Sequence, residues 1–412
     1  MSPFTRVAGR RAAALLGAMS AVVATWTVAA PAATADDMRS RQWYLDAMKA
    51  DELWKVATGK GITVAVIDSG VDSTLPELRG KVLPGRNFET GGLGRVDDKD
   101  TDRHGTNMAL AIAGSGADGG VKGIAPSATI LPVKTGANSN AGWGPTYKGI
   151  RYAVDNGARV INISRAGPAL TEETADWQAT VDYARKKGAL IFAGAGNDGS
   201  GGAVYPASIP GVVAVGAVDN KGKVAKFSNH GSYLALAAPG VEMPGRCTQD
   251  KTQFCALSGT SHSTAIASGA AALIWSAHPD WTANQVLRVM METAGHNGPV
   301  PSKYIGYGTI RPAQVLLEGK GNPGDPNVNP LLAAQGVSNS PTSQASKPSQ
   351  TSPSPENTGA SGNGQAKDNN QAAEPDEGGF PLWAIAASAV AVVALIGFGV
   401  VAGVRRRAST DA

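Results

Sequence analysis

Val64-Ala65-Val66-Ile67-Asp68-Ser69-Gly70 is a short apolar run that ends on a carboxylate and a turn. It predicts a buried strand over residues 62–68, with the acid at the strand's carboxyl end. Four more apolar runs follow, at residues 128–133, 159–164, 189–193 and 212–217. Helical patterns occupy residues 105–115, 147–156, 172–187, 261–277 and 283–294. Strands alternating with helices indicate an α/β fold with a mainly parallel sheet between helices. In open sheets of this kind, functional groups gather beyond the carboxyl ends of the strands. Asp68 is placed there and Asn197 follows a strand closely, while His104 and Ser261 each stand at the start of a predicted helix.

Two further segments complete a chemical pattern with the first: His104-Gly105-Thr106 and Ser258-Gly259-Thr260-Ser261. Together they supply the three residue types of a serine hydrolase triad, in the chain order Asp, His, Ser. A serine hydroxyl is a poor nucleophile until a base takes its proton. The chain has five histidines, His104, His230, His262, His278 and His296. His104 is the best-placed base, because Gly105 beside it allows other backbone to approach. His262 adjoins Ser261, but neighbours on a helix point to different faces. Ser261 at a helix start gains from the N–H groups and the dipole there, which favour developing negative charge. Ser258 and Ser263 remain rival nucleophiles. Asn197, in the Gly-rich loop 194–199, is the candidate oxyanion donor.

The composition excludes other classes. A net charge of +4 over 412 residues, with no basic stripe interleaved with aromatics, gives no case for nucleic acid. No Gly-x-Ser-x-Gly elbow occurs, which disfavours an α/β-hydrolase esterase. Asp97, Asp98, Asp100 and Asp102 cluster before His104 without the loop pattern of a calcium site, so a solvated acidic loop is expected and neither metal nor cofactor is assigned.

The ends of the chain read as targeting. Residues 1–35 carry Arg6, Arg10 and Arg11, an apolar stretch and small residues before Asp36, the pattern of a secretory signal. Residues 380–404 hold no charge and are followed by Arg405-Arg406-Arg407, the pattern of a single-pass anchor with residues 405–412 cytoplasmic. Between them, residues 319–379 are rich in Ser, Pro, Gly, Asn and Gln, and are expected to form a disordered tether. The expected location is therefore the cell membrane, with the folded unit outside. Cys247 and Cys255 fit an oxidising compartment, and a disulfide between them would contribute about 2–3 kcal/mol.

Residues 42–318 resemble the subtilisin family of serine proteases. The supporting stretches are the three motifs together with Gln42-Trp43-Tyr44-Leu45, Trp54-Lys55, Leu83-Pro84-Gly85-Arg86-Asn87-Phe88 and Ile305-Gly306-Tyr307-Gly308. Within that family the chain is most similar to the mycosins, membrane-anchored proteases of type VII secretion. The resemblance implies a three-layer subtilisin-like domain over residues 61–318, preceded by an extension over 36–60. It implies Asp68, His104 and Ser261 as the triad, Asn197 in the oxyanion hole, and Ser164, Arg165 and Ala166 as the substrate-pairing strand. A protein or peptide substrate and a type VII secretion membrane complex become the candidate partners. With no room for a prodomain between Asp36 and Gln42, the chain is expected to fold without one.

Four departures from the family pattern stand out. Arg103 replaces the usual glycine before the histidine, and Asn107-Met108-Ala109-Leu110 follows it. Arg165-Ala166 replaces a Leu-Gly, and His262-Ser263-Thr264-Ala265 follows the serine. A scaffold that stabilises a secretion complex, with weak or dispensable catalysis, is the alternative that these departures motivate.

Overall fold

A computed structural model describes residues 38–89, 103–136, 143–168, 174–247, 250 and 253–337. The expected signal, most of the tether, the anchor and the acidic loop before His104 lie outside these residues. No helix among the described residues is long and apolar enough to cross a membrane.

Seven parallel strands form the central sheet: β1 (Thr63–Asp68), β2 (Arg86–Asn87), β3 (Thr129–Lys134), β4 (Val160–Ile163), β5 (Leu190–Gly194), β6 (Val213–Val218) and β7 (Leu234–Pro239). Their order is β2-β3-β1-β4-β5-β6-β7. The chain builds outward from β1 on one side and then from β4 on the other. The reversal leaves a crevice beyond the carboxyl ends of β1 and β4, where a parallel sheet binds its ligands. Register places Ile67 beside Ile163 at that crevice, so Asp68 and Ser164 emerge on neighbouring strand ends.

Side chains alternate across the sheet with period two. Val64 and Val66 enter one apolar core, and Ala65 and Ile67 the other. The first core is covered by α3 (His104–Ala113), α6 (Thr260–Ala277), α7 (Ala283–Glu292) and α8 (Pro312–Leu316), together with the short helices α1 (Trp43–Ala47) and α2 (Ala50–Val56). The second is covered by α4 (Gly144–Asp155) and α5 (Thr174–Lys186), where Trp177 meets Trp143 and Tyr147 edge-on. Helix–sheet–helix is the three-layer arrangement expected. Helix α6 is buried along nearly its whole length, which its Ala-rich sequence permits by letting backbone layers approach closely.

The N-terminal segment is fastened by polar contacts. Gln42 is fully buried; its amide donates to the Lys122 carbonyl (2.6 Å) and accepts from the Lys122 N–H (3.0 Å). Trp43 and Trp54 donate their indole N–H groups to the carbonyls of Val241 and Ile124.

A separate antiparallel hairpin pairs β8 (Met243–Arg246) with β9 (Phe254–Leu257). Cys247 and Cys255 are disulfide-bonded at its loop end, with Cα atoms 5.2 Å apart.

Residues 319–337, expected to open the tether, instead pack on the domain. Helix α9 (Pro330–Ala334) is capped by the Asn329 side chain, and Leu331 and Leu332 are buried. Carbonyls of the same stretch accept hydrogen bonds from α7 and its cap: Pro326 from Thr282 and Asn284, Gly324 from Gln285, and Val328 from Arg288. Two leucines and a set of carbonyl acceptors suffice to hold a segment whose average composition reads as disordered.

Candidate active site

Asp68 ends β1 and is almost completely buried. Its Oδ1 accepts from the Ser69 N–H (2.8 Å) and the Ser69 hydroxyl (3.2 Å), and lies 2.7 Å from Nδ1 of His104. Nδ1 therefore carries the proton, which leaves Nε2 as the basic nitrogen of a neutral ring. His104 opens α3 and keeps about a third of its side chain exposed. The first turn of α3 is pressed against the end of β1. A Cβ on Gly105 would stand 2.2 Å from the Gly70 carbonyl oxygen, and the Gly105 N–H donates to the Ser69 hydroxyl (3.0 Å). Just before it, Arg103 adopts φ +54°. A glycine takes that conformation without strain, which explains physically why glycine is usual there.

One helical turn on, Asn107 grips the hairpin. It donates to the Arg246 carbonyl (3.1 Å) and accepts from the Arg246 N–H (2.7 Å). The Arg246 guanidinium, stacked over Phe254, makes a buried ion pair with Glu77 at 2.7 Å. These contacts brace the helix that carries His104.

Ser261 lies in the first turn of α6, beyond the extended Gly259. Its hydroxyl donates to the Ser164 carbonyl (3.2 Å), and the Ser164 hydroxyl donates to the Ser261 carbonyl (3.1 Å). Beneath them Asn162, fully buried inside β4, donates to the Ser164 hydroxyl and accepts from Ser268 of α6. An amide inside a buried strand is against strand propensity, and that oddity is the signal by which sequence reasoning could have found it. The rival serines point elsewhere. Ser263 is fully buried, its hydroxyl close to the position a Cβ on Gly240 would take, and Ser258 accepts from the Glu242 N–H.

Asn197 follows β5 in the Gly-rich loop. Its Oδ1 accepts from the Thr260 N–H (2.9 Å) and the Thr260 hydroxyl (3.0 Å). That fixes the orientation of the amide, because only the oxygen can accept from a backbone N–H. The NH₂ group is held away from Thr260, and Asn197 is part of the lining of the adjacent cavity. This clamping role of Thr260 was not visible in the sequence.

A cavity of about 400 Å³ lies between these pieces, lined by Ser164–Pro168 on one wall, Gly194, Gly196, Asn197 and Asp198 on another, and by Ala203, Val204, Thr260 and Ser261. None of its lining comes from residues 38–60.

The other histidines lie elsewhere or are silent. His278 stacks on Trp281, His296 bonds the Gly298 carbonyl, and His230 packs on Tyr304. His262 is buried, and burial, with His104 nearby, pushes it down to about 3. It stays neutral at working pH, and its Nε2 is buried with no hydrogen-bond partner. Among the described residues no cluster of three or more His, Cys, Asp or Glu side chains is placed to hold a metal ion.

A profile of the subtilase family matches residues 59–308, more than half of the sequence. The chain belongs to the subtilase family. Subtilisin E of Bacillus subtilis (strain 168) is 40% identical over 258 residues, 61% of this chain and 65% of that protein. Thermitase of Thermoactinomyces vulgaris is 37% identical over 241 residues, 57% of this chain and 82% of that one. The chain thus spans just under two thirds of subtilisin E and a larger share of thermitase. Among solved subtilase structures, MycP1 from Mycobacterium smegmatis superimposes with a TM-score of 0.60 at 28% identity, covering 69% of this chain and 86% of that one. A structure of MycP1 described as a serine protease and an essential component of the type VII (ESX-1) secretion system matches with a TM-score of 0.59 at 31% identity, covering 69% and 90%. The residues matched, 59–308, include all seven strands of the central sheet and Asp68, His104, Asn197 and Ser261.

Proposed function

We propose that the protein is a serine endopeptidase that cleaves peptide bonds through an acyl-enzyme, with Asp68, His104 and Ser261 as its triad. The single observation that carries this reading is the 2.7 Å contact between Asp68 Oδ1 and His104 Nδ1, at the strand crevice that also receives Ser261. In the proposed cycle the Ser261 hydroxyl turns from the Ser164 carbonyl and gives its proton to Nε2 of His104 as Oγ attacks the substrate carbonyl carbon. Asp68 stabilises the imidazolium that results. The oxyanion accepts from the Asn197 NH₂ and from the Ser261 N–H, one of the donors that a helix start leaves without an internal partner. His104 then protonates the leaving amine, and water repeats the sequence to free the acid and regenerate Ser261.

The finer reading is a protease held at the outer face of the cell membrane by residues 380–404, acting on a secreted client of a type VII secretion system. The anchor pattern in the sequence and the likeness to MycP1 support it. Ser164, Arg165 and Ala166 would pair with the substrate along one wall of the cavity.

The test is covalent labelling of the full-length protein in detergent with a fluorophosphonate probe. Wild type should label at Ser261, and Ser261→Ala should not. Labelling that persists in Ser261→Ala would remove Ser261 as the nucleophile.

A further inference from the structure

Among the described residues, one cation beside the groove has neither a hydrogen-bond nor an ion-pair partner. Arg165 directly follows Ser164, whose carbonyl holds the Ser261 hydroxyl. Its guanidinium lies over the Trp143 ring, 5.2 Å from the centroid. Trp143 is itself fixed: its indole N–H donates to the Pro168 carbonyl (3.3 Å), and a Cβ on Gly167 would stand only 3.2 Å from the ring. The guanidinium is therefore oriented by stacking before anything binds.

Among the described residues Arg165 makes no hydrogen bond and no ion pair, and its Nη1 is buried without a partner. Two other arginines do have polar partners. Arg246 is answered by Glu77, and Arg159 donates to the carbonyls of Pro279 and Trp281. The two carboxylates near enough to act on Arg165 through space make no hydrogen bond or ion pair with it, although the Asp68 Oδ2 is itself buried without a partner. Asp68 holds His104, and Glu89 pairs with Lys134 at 3.8 Å. A desolvated cation with idle donors costs stability, and the shortfall ends when a carboxylate docks on the fork.

We propose that Arg165 determines specificity by receiving the carboxylate of an aspartate or glutamate side chain in the part of the substrate that lies along residues 164–166. Arg is suited to the task because its planar fork binds a carboxylate bidentately, which a lysine cannot do. Ala166 next to it limits how closely the peptide backbone approaches, so more of the recognition falls on this side-chain contact. The inference rests on Ser261 being the nucleophile at this groove.

The experiment is cleavage of a random peptide library by the full-length protein, read by mass spectrometry. It is followed by kinetics on matched peptides that differ only by Glu or Gln at the enriched position. Wild type should enrich Asp and Glu at one or more positions near the cut, with kcat/KM roughly ten- to a hundredfold higher for Glu than for Gln. Arg165→Gln should bring that ratio close to one, Arg165→Lys should restore part of it, and Arg165→Glu should turn the enrichment toward Lys and Arg. Thermal unfolding of each variant separates lost selectivity from lost folding. The proposal is overturned if wild type shows no acidic enrichment, if the Glu/Gln ratio survives in Arg165→Gln, or if the fluorophosphonate probe labels Ser261 while no acidic peptide is cut. Absence of labelling in wild type would instead overturn the hydrolase reading beneath it.

Discussion

The two sides of Ser261 are built differently. On the histidine side most pieces are clamped, although the Asp68 Oδ2 and the Glu77 Oε2 are buried without a hydrogen-bond partner. Asp68 is held by Ser69 and His104, Gly105 is pressed onto Gly70, and Asn107 ties the helix to a hairpin closed by a disulfide and a buried ion pair. On the groove side polar groups are left in waiting. The Asn197 NH₂ is turned out by its own anchored oxygen, and Arg165 is stacked but not hydrogen-bonded. The contrast follows the division of labour in such chemistry. Proton transfer needs a fixed geometry, whereas binding and oxyanion stabilisation need donors whose partners arrive only with the substrate.

The largest effect expected from a single change lies on the clamped side. Glu77→Gln leaves the Arg246 guanidinium buried beside a neutral group, and should lower folding stability by about 3–5 kcal/mol in urea unfolding. A loss under about 1 kcal/mol would mean that this side has slack, and the contrast would fail there. Next comes the waiting side. Asn197→Ala should reduce kcat on a peptide substrate by about 10²–10³ with KM little changed, since its donors act on charge that exists only in the transition state. An equal loss appearing in KM alone would assign Asn197 to ground-state binding instead.

The smallest effect concerns the seam between the sides, where His262 lies. Its folded value, near 3, is below the 6.5 of an unfolded histidine, so the unfolded chain takes up a proton that the folded chain refuses. Stability should fall as pH drops from about 6.5 toward 3, by about 2 kcal/mol at pH 5. His262→Met, of similar bulk, should flatten that dependence when chemical unfolding is compared at pH 7.5 and 5. Equal slopes in the two proteins would show that His262 is not the group responsible.

Among the described residues, five of the seven sheet strands and all five long helices were legible in the sequence to within a few residues, because apolar runs and helical periods report burial directly. β7 was not, since Leu234–Pro239 is Ala-rich and ends on proline, against strand propensity, and burial between neighbours decides it. The β8–β9 hairpin carries Pro244 and Gly245 and reads as a loop. In the site, the motif residues could be named from local sequence and chain order. Their supports could not, because Thr260 on Asn197, Asn162 on Ser164 and Asn107 on Arg246 are contacts between residues 63, 2 and 139 positions apart. Two of these three are long-range, and the third matters only because α6 packs over it.

The packing of residues 319–337 has a mechanical consequence. Tension applied at residue 337 is borne first by α9 and by the four side chains of α7 and its cap that hold the carbonyls of Gly324, Pro326 and Val328. These bonds lie in series ahead of α6, whose first turn presents Ser261. The clasp therefore works as a strain relief. It can open locally and re-form before tension passes through α7 to α6, the helix that carries the proposed nucleophile.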